Sequence, residues 1–339
     1  MTMLGHLKVV DLTRDLGGYA GVMLAELGAD VVQVEWADPI GDAAEIAMAR
    51  RGKRVERLAL DDVALRTLVD GADILLRGPE AMPEGLGESN ERLIDVAILA
   101  FDPDGRNAGR PATDLTLLAR SGLLTIVGDP DRPPMALPGR QAWALAGIHG
   151  AIAALTALNA RAATGLGEHV IVSAYRSAVL ANYREPVSWQ WAGKVGQRTG
   201  NLLVRGKSGV KQIWACADGF VTWALVDNPP MMRATVARMA EDGMAGVLGG
   251  IDWDAILVAD MPQEILQDWE KQIGAWLATK QRAELSAMSN KHGMGLSAID
   301  EAADVIASPH LAARGLWRDA TVDGRAVRVP GPLYQWSEA

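Results

Sequence analysis

The 339-residue chain is poor in the residues that build disulfide, metal and nucleic-acid sites. It has one cysteine, Cys216, which excludes a disulfide framework or a cysteine-based metal cluster within one chain. The five histidines are scattered, and none has the spacing of a metal ligand, so no metal site is predicted. The net charge is -9 and no dense Lys/Arg block occurs, which argues against a nucleic-acid partner.

Long apolar runs are also missing. The first six residues lack the apolar stretch of a signal peptide, and no run of about 18 apolar residues predicts a membrane-spanning helix. We therefore expect a cytoplasmic protein without membrane contact.

The first half of the chain alternates strand and helix patterns. Leu7–Leu12 is β-branched, Gly17–Leu27 has apolar residues at helical spacing, and Ala29–Glu35 is again a strand pattern. Further strands are predicted at Ala72–Leu76 and Ile94–Phe101, with helices at Asp61–Val69 and Ser89–Leu93. Strand, helix and strand in this length form a βαβ unit, so the pattern predicts an α/β protein with an open parallel sheet covered by helices.

The second half predicts a division into domains. Helices are expected at Asp114–Leu124 and Gly147–Ala163, the latter buried because small residues surround it, and a strand at Glu168–Ala174. Residues 191–211 are Gly-rich and basic and predict a linker or loop. Residues 212–305 start with a hairpin pattern around Asp218-Gly219 and continue as helices, which predicts a smaller α+β domain. Residues 1–190 form the predicted large domain, to which 306–339 return.

Two segments partly resemble nucleotide-binding motifs but do not match them. Residues 14–21 follow the first strand but do not match GxGxxG, although Glu35 ends the second strand, where a ribose-binding acid is expected. Residues 200–208 resemble a P-loop that is one residue too long. A nucleotide-binding α/β enzyme is therefore kept only as an alternative.

Several motifs along the whole chain resemble those of class III CoA-transferases, a family that includes formyl-CoA transferase and alpha-methylacyl-CoA racemase. They are D-L-T at 11–13, L-G-A-D-V at 27–31, R-G-K-R at 51–54, T-D-L at 113–115, T-G-L-G-E-H-V at 164–170 and A-D-G at 217–219. The resemblance implies a Rossmann-like large domain, a smaller domain and an interlocked dimer. It also implies an acyl-CoA substrate and no covalently bound cofactor.

A tryptophan stands where the resemblance places the nucleophile. In the family an aspartate four residues before the glycine of the long helix attacks the thioester, because an acyl anhydride of a carboxylate can be attacked again. Counting back four residues from Gly147 gives Trp143. An indole cannot form an anhydride, so the usual transfer is expected to be disabled at this position. Trp143 is expected to fill the acyl pocket or to stack on a flat acyl group. Four further tryptophans are expected either to line a wide aromatic pocket or to pack in a core: Trp189, Trp191, Trp214 and Trp223.

The resemblance also suggests which residues bind CoA and which acids act. Phosphate contacts are expected from Lys53 and Arg54, with Arg14 and Arg140 as further contacts or as solvated surface charges. Glu35 ends the predicted second strand, and Trp36 directly after it stands where the family usually has an arginine for the CoA nucleotide, so both are candidate CoA contacts. The racemase branch has a histidine where Thr113 stands, so the remaining candidate catalytic acids are Asp114 and, in the smaller domain, Asp227.

Three functions remain open at this stage. The first is an acyl-CoA enzyme that transfers CoA between carboxylic acids or isomerises an acyl-CoA without the usual aspartate. The second is a non-catalytic subunit or acyl-CoA-binding protein that pairs with an active paralogue, so that the dimer is either a homodimer or a heterodimer. The third is the nucleotide-binding enzyme.

Overall fold

The computed structural model of the protein describes residues 3–205, 208–331 and 334–335. The chain forms two compact units. The first is drawn from residues 1–127, 134–196 and 309–339, and the second from residues 128–133 and 197–308.

A parallel sheet forms the centre of the first unit. Its strands are β1 (Lys8–Asp11), β2 (Asp30–Val34), β3 (Arg54–Glu56), β4 (Ile74–Arg77), β5 (Ile94–Leu99) and β6 (His169–Ser173). All six are parallel and lie in the order β3-β2-β1-β4-β5-β6. The first strand, β1, therefore lies in the middle of the sheet. Strands β2 and β3 extend the sheet on one side of β1, and β4, β5 and β6 extend it on the other. This confirms the predicted open parallel sheet of an α/β, Rossmann-like fold.

Helices cover both faces of this sheet. The helices of this part of the chain are α1 (Gly18–Glu26), α2 (Ala43–Arg50), α3 (Val63–Asp70), α4 (Asp114–Arg120), α5 (Gln141–Thr164), α6 (Ala174–Ala181) and α7 (Arg184–Ala192). Of these, α2 and α7 have no buried residue, and the other five supply the cores on the two faces. Side chains alternate between the faces of a strand. Val9 and Val31 therefore enter the core that contains α1 and α5, whereas Val10 and Val32 enter the core that contains α3. Neither face of the central strands is solvated, which explains their continuous β-branched runs.

Helix α5 is long because it is buried against the sheet and α1. A Cβ on Gly150 would lie 2.5 Å from Ile98 Cδ1 and 3.3 Å from Ala20 Cβ, so α5 packs closely against β5 and α1 at this glycine. By length and composition alone α5 is apolar enough to cross a membrane, a test that the core helix of a soluble protein also passes. Its packing in the first unit accounts for the same composition.

The second unit combines small sheets with helices. Its elements are β7 (Leu202–Arg205), β8 (Ser208–Lys211), β9 (Ile213–Cys216), β10 (Gly219–Thr222), α8 (Pro229–Glu241), α9 (Gln263–Leu277), α10 (Arg282–His292), β11 (Ser297–Ala298) and α11 (Ala302–Ala307). Strands β9 and β10 pair antiparallel around the predicted turn. The tryptophans Trp214 and Trp223 pack edge to face at 6.2 Å in the core of this unit. Their indole N–H groups donate to the carbonyls of Trp223 and Met294, so these two rings belong to a core and not to an aromatic ligand pocket.

The described segment 309–331 belongs to the first unit. It forms α12 (Pro309–Ala313) and an antiparallel hairpin of β12 (Trp317–Val322) and β13 (Arg325–Pro330). The hairpin turns at Asp323-Gly324, where both residues have positive φ, as a two-residue hairpin turn requires. Arg51 donates a 2.7 Å hydrogen bond to the carbonyl of Pro330 and holds the hairpin in place.

Two local predictions differ from the structure. Residues 89–93 form turns and not a helix, because the Asn90 carboxamide accepts a hydrogen bond from the Arg92 amide and donates to the Ala72 carbonyl. The segment 191–211, predicted as a linker, contains the end of α7 and the pair β7–β8, while residues 206 and 207 lie outside the described part. The domain boundaries taken from the sequence stay a prediction.

Glu270 predicts a pH-dependent stability of the second unit. The side chain is buried in α9 and accepts a 2.6 Å hydrogen bond from the Lys211 amide. Burial raises the pKa of Glu270, and the Lys211 amide and charge lower it only in part. A carboxyl group whose pKa is higher in the folded than in the unfolded state favours folding when it is protonated. Its contribution to stability is complete below the unfolded-state pKa of about 4.3, and it is lost as pH rises through the folded-state pKa.

We therefore expect Glu270→Gln to exceed the wild type in unfolding free energy at pH 7, and to lose this advantage towards pH 4. Urea unfolding at several pH values measures the difference. Glu264→Gln, exposed on the same helix, is the control and should show no gain at pH 7. A constant difference between Glu270→Gln and wild type across the pH range would contradict the argument.

Candidate functional site

A cavity of about 520 Å³ opens where the strand order of the first unit reverses, between β1 and β4. At such a point the loops after neighbouring strands run in opposite directions and leave a crevice at the carboxyl ends of the strands. The volume lies in the range of about 300–1,000 Å³ that is usual for ligand pockets. Its lining includes Leu12, Arg14, Asp15, Leu16, Trp36, Gly78, Glu80, Phe101, Arg110 and Trp143. The lining is mainly apolar and aromatic, with a few charged groups.

Trp143 lies in the first turn of α5 and lines this cavity. Its side chain is 7% exposed and belongs to the core of the sheet face that carries α1 and α5. Its amide donates a 3.0 Å hydrogen bond to Asp114 Oδ1. Asp114 is the first residue of α4, so one carboxylate joins the first turns of two helices. Thr113 caps α4, since its hydroxyl accepts a hydrogen bond from the Thr116 amide.

Arg14 and Trp36 form one wall of the cavity. The guanidinium of Arg14 lies 5.7 Å from the centre of the Trp36 ring, donates to the Asp38 carbonyl at 2.8 Å and is 3.6 Å from Glu80. The Trp36 indole donates to the Leu12 carbonyl at 3.0 Å. A smaller cavity of about 40 Å³ shares Arg14, Trp36 and Ile40 with the larger one. These loops thus form a continuous lining at the ends of β1, β2 and β4.

Glu35 and Arg140 are engaged by neighbouring charges. Glu35 lies 2.5 Å from Arg50 and 3.6 Å from Arg57, and its side chain is 8% exposed. Arg140 pairs with Asp15, on the loop after β1, and with Glu45 on α2. Arg140 thus connects the start of α5 to the cavity loop.

Lys53 and Arg54, from which phosphate contacts are expected, do not line the cavities of about 520 and 40 Å³. The side chain of Lys53 is fully buried, and its ammonium donates hydrogen bonds to Asp11, Gln33 and the Gly18 carbonyl. Arg54 is exposed but bonds both carboxylate oxygens of Asp30. It lies on the edge strand β3, and it does not line either cavity of the first unit described above.

Asp227, the second candidate acid, lies in the second unit, whereas Asp114 lies in the first. Its carboxylate is exposed and accepts a 2.5 Å hydrogen bond from the Val258 amide. The half-buried His149 has its Nδ1 2.7 Å from the buried Ser177 hydroxyl, within hydrogen-bond distance. Phe101 and Arg110 also line the cavity and were not predicted as site residues. Phe101 lies two residues after the end of β5, whereas Arg110 lies in the long segment between β5 and α4.

Comparisons with known proteins identify one family. The profile of CoA-transferase family III matches residues 4–339. The subunit BbsE of succinyl-CoA:(R)-benzylsuccinate CoA-transferase from Thauera aromatica is 26% identical, over 98% of this chain and 87% of the relative. The succinyl-CoA:mesaconate CoA-transferase of Haloarcula hispanica is 31% identical over 59% of each chain. A CAIB/BAIF family protein from Brucella suis has a similar fold, with a TM-score of 0.82, 24% identity, and coverage of 98% of this chain and 92% of that one.

Proposed function

Because this chain belongs to CoA-transferase family III, we propose that it binds an acyl-CoA in the cavity between β1 and β4 and transfers CoA between two carboxylic acids. The observation that carries the proposal is the cavity itself, which lies at the point where α/β sheets bind ligands and is lined by the first turn of α5. Its aromatic lining suits an apolar acyl group, and Arg14 and Arg110 supply positive charge for anionic parts of the substrates.

Succinyl-CoA is the first donor to test, because the relatives from Thauera and Haloarcula carry it in their names. In the reaction the thioester bond of the donor breaks and a thioester to the acceptor acid forms, so that one free acid is released for each acid consumed. This exchange consumes and releases no net proton. We propose Asp114, whose carboxylate accepts a hydrogen bond from the Trp143 amide, as the first candidate catalytic acid, and Asp227 of the other unit as the second.

We expect the purified chain to convert succinyl-CoA and an acceptor acid into succinate and a new acyl-CoA, with benzylsuccinate and mesaconate included in the panel. Replacing Asp114 by asparagine should lower kcat by about 100-fold, the effect of losing a positioned acid or base. Chromatography of the CoA thioesters measures both. Asp61→Asn, an exposed aspartate ahead of α3, is the control and should retain full activity. An unchanged rate in Asp114→Asn would remove Asp114 from the reaction.

A second candidate function rests on Trp143. If the indole occupies the place of the family nucleophile, the chain serves as a non-catalytic subunit beside an active paralogue, and the Thauera relative is itself named as a subunit. The isolated chain should then bind acyl-CoA without turnover and copurify with a relative that carries the aspartate. Turnover by the isolated chain would exclude this second candidate.

We also propose that the chain forms a dimer, with itself or with such a paralogue, and that it works in the cytoplasm. Light scattering of the purified chain tests self-association.

A further inference from the structure

A buried charged cluster lies beneath the loop that lines the cavity. The ammonium of Lys53 donates to Asp11 Oδ2 at 2.7 Å, to Gln33 Oε1 at 2.8 Å and to the Gly18 carbonyl at 3.3 Å. The side chains of Lys53 and Asp11 are fully buried, and Gln33 is 8% exposed. A lysine ammonium has three donors, and all three are used here.

The cluster interrupts an otherwise apolar face. Val9 precedes Asp11 on β1, and Val31 precedes Gln33 on β2, and both valines belong to the core beneath α1 and α5. Burying an ion pair is commonly no better for stability than apolar residues of the same volume, because both charges lose their hydration. Stability alone therefore does not explain why charged and amide side chains follow the valines at the carboxyl ends of β1 and β2.

The side chains of the cluster are hydrogen-bonded to the backbone of the loop after β1. Asp11 Oδ1 accepts from the amide of Thr13 at 2.9 Å and from its hydroxyl at 2.5 Å. Gln33 Nε2 donates to the carbonyls of Asp11 and Thr13, at 3.2 and 2.7 Å. Lys53 bonds the carbonyl of Gly18, where α1 begins. The cluster therefore holds both ends of residues 13–18.

The first helix leaves room for the cluster. A Cβ on Gly21 of α1 would lie 2.0 Å from Asp11 Oδ2 and 2.9 Å from Lys53 Nζ. Any larger residue at this position would displace the ion pair. One arrangement is thus contributed by α1, β1, β2 and the residue before β3, namely by Gly21, Asp11, Gln33 and Lys53.

We propose that Lys53 and Asp11 are positioning residues for the ligand cavity. They fix residues 13–18, and this segment presents Arg14, Asp15 and Leu16 to the larger cavity. Lys53 thus acts on the ligand through the loop without touching it. The proposal rests on the proposed function, since it assigns the cavity to an acyl-CoA.

The test compares Lys53→Met with two other variants. Gln33→Leu removes the bonds to the loop carbonyls without leaving a charge unpaired, in case Lys53→Met does not fold. Leu65→Ala, a fully buried position in α3 beneath the opposite face of the sheet, lowers stability without touching the loop. Two quantities are measured under conditions in which every variant is folded. They are the Kd for succinyl-CoA by calorimetry and the amide hydrogen exchange of peptides covering residues 12–18 by mass spectrometry.

We expect Lys53→Met and Gln33→Leu to exchange faster in this segment and to bind at least about 10-fold more weakly, since small displacements of binding groups have large effects. Leu65→Ala should match the wild type in both. The proposal would be overturned if hydrogen exchange were unchanged in Lys53→Met and Gln33→Leu, or if exchange in them were faster while their Kd stayed the same. An equal loss of affinity in Leu65→Ala would also overturn it. If the wild type binds no CoA thioester, the proposed function fails, and the role in binding fails with it. The exchange rates still show whether the cluster holds the loop.

Discussion

Replacing Trp143 by aspartate is expected to lower the free energy of unfolding by about 3–5 kcal/mol, the range for removing a buried tryptophan side chain. The indole is 7% exposed and packs in the core beneath α5, so its loss leaves a cavity. The new carboxylate would also enter a mainly apolar site close to Asp114, which accepts a hydrogen bond from the amide of the same residue. Both effects have the same sign.

Trp191→Asp is the matched control for this loss. Trp191 lies in α7 and is 88% exposed, so the same exchange there should change the unfolding free energy by no more than about 0.5 kcal/mol. Urea unfolding of both variants gives the comparison. Similar losses in the two variants would mean that the indole of Trp143 contributes no more to the core than a surface side chain.

The same variant informs the choice between the two proposed functions. If Trp143→Asp transfers CoA and the wild type does not, the indole stands in the place of the nucleophile, and the wild-type chain depends on a partner for catalysis. If the wild type already transfers CoA, the acid that acts is another residue, and Asp114 is the first to examine.

Much of the first unit could be predicted because its signals are local. The β-branched runs predicted strands β1 and β2, and the alternation with helices predicted parallel pairing. The start of α5 could not be predicted in this way. Its N-cap, Arg140, makes no capping hydrogen bond through its side chain, and the amide of Trp143 is bonded by Asp114, 29 residues earlier. A helix cap that comes from a residue distant in sequence gives no local sequence signal at the start of the helix. The helix was therefore predicted to begin at Gly147.

The charged site residues were the hardest to predict, because burial of a charge depends on distant partners. Lys53 follows Arg51-Gly52 in a basic stretch that is typical of an exposed turn. Its acceptors come from β1, β2 and the start of α1, which meet only in the folded sheet. The tryptophans behave similarly: Trp143 lines the cavity, whereas Trp214 and Trp223 are core residues of the second unit. Composition alone could not separate these roles.

Gly147→Ala is expected to lower the free energy of unfolding by about 1–3 kcal/mol, the usual cost of overpacking. The added Cβ would lie 2.6 Å from Tyr19 Cβ and 3.2 Å from the Ala20 amide nitrogen of α1. These atoms belong to or adjoin the backbone of a neighbouring helix, so they cannot move aside as the end of a flexible side chain can. Alanine is otherwise favoured over glycine in a helix interior by about 1 kcal/mol, so the contact must outweigh a preference of opposite sign.

Gly18→Ala provides the control within the same pair of helices. A Cβ on Gly18 would have no atom within 4 Å, so this change should stay within about 0.5 kcal/mol. Urea unfolding measures both variants, and a neutral or stabilising Gly147→Ala would show that α1 and α5 separate easily. Trp143 lies one helical turn before Gly147, so a shift of α5 away from α1 would also move the indole at the cavity wall. The close approach at Gly147 therefore serves the cavity as well as the core, and we expect weaker binding of acyl-CoA by Gly147→Ala than by Gly18→Ala.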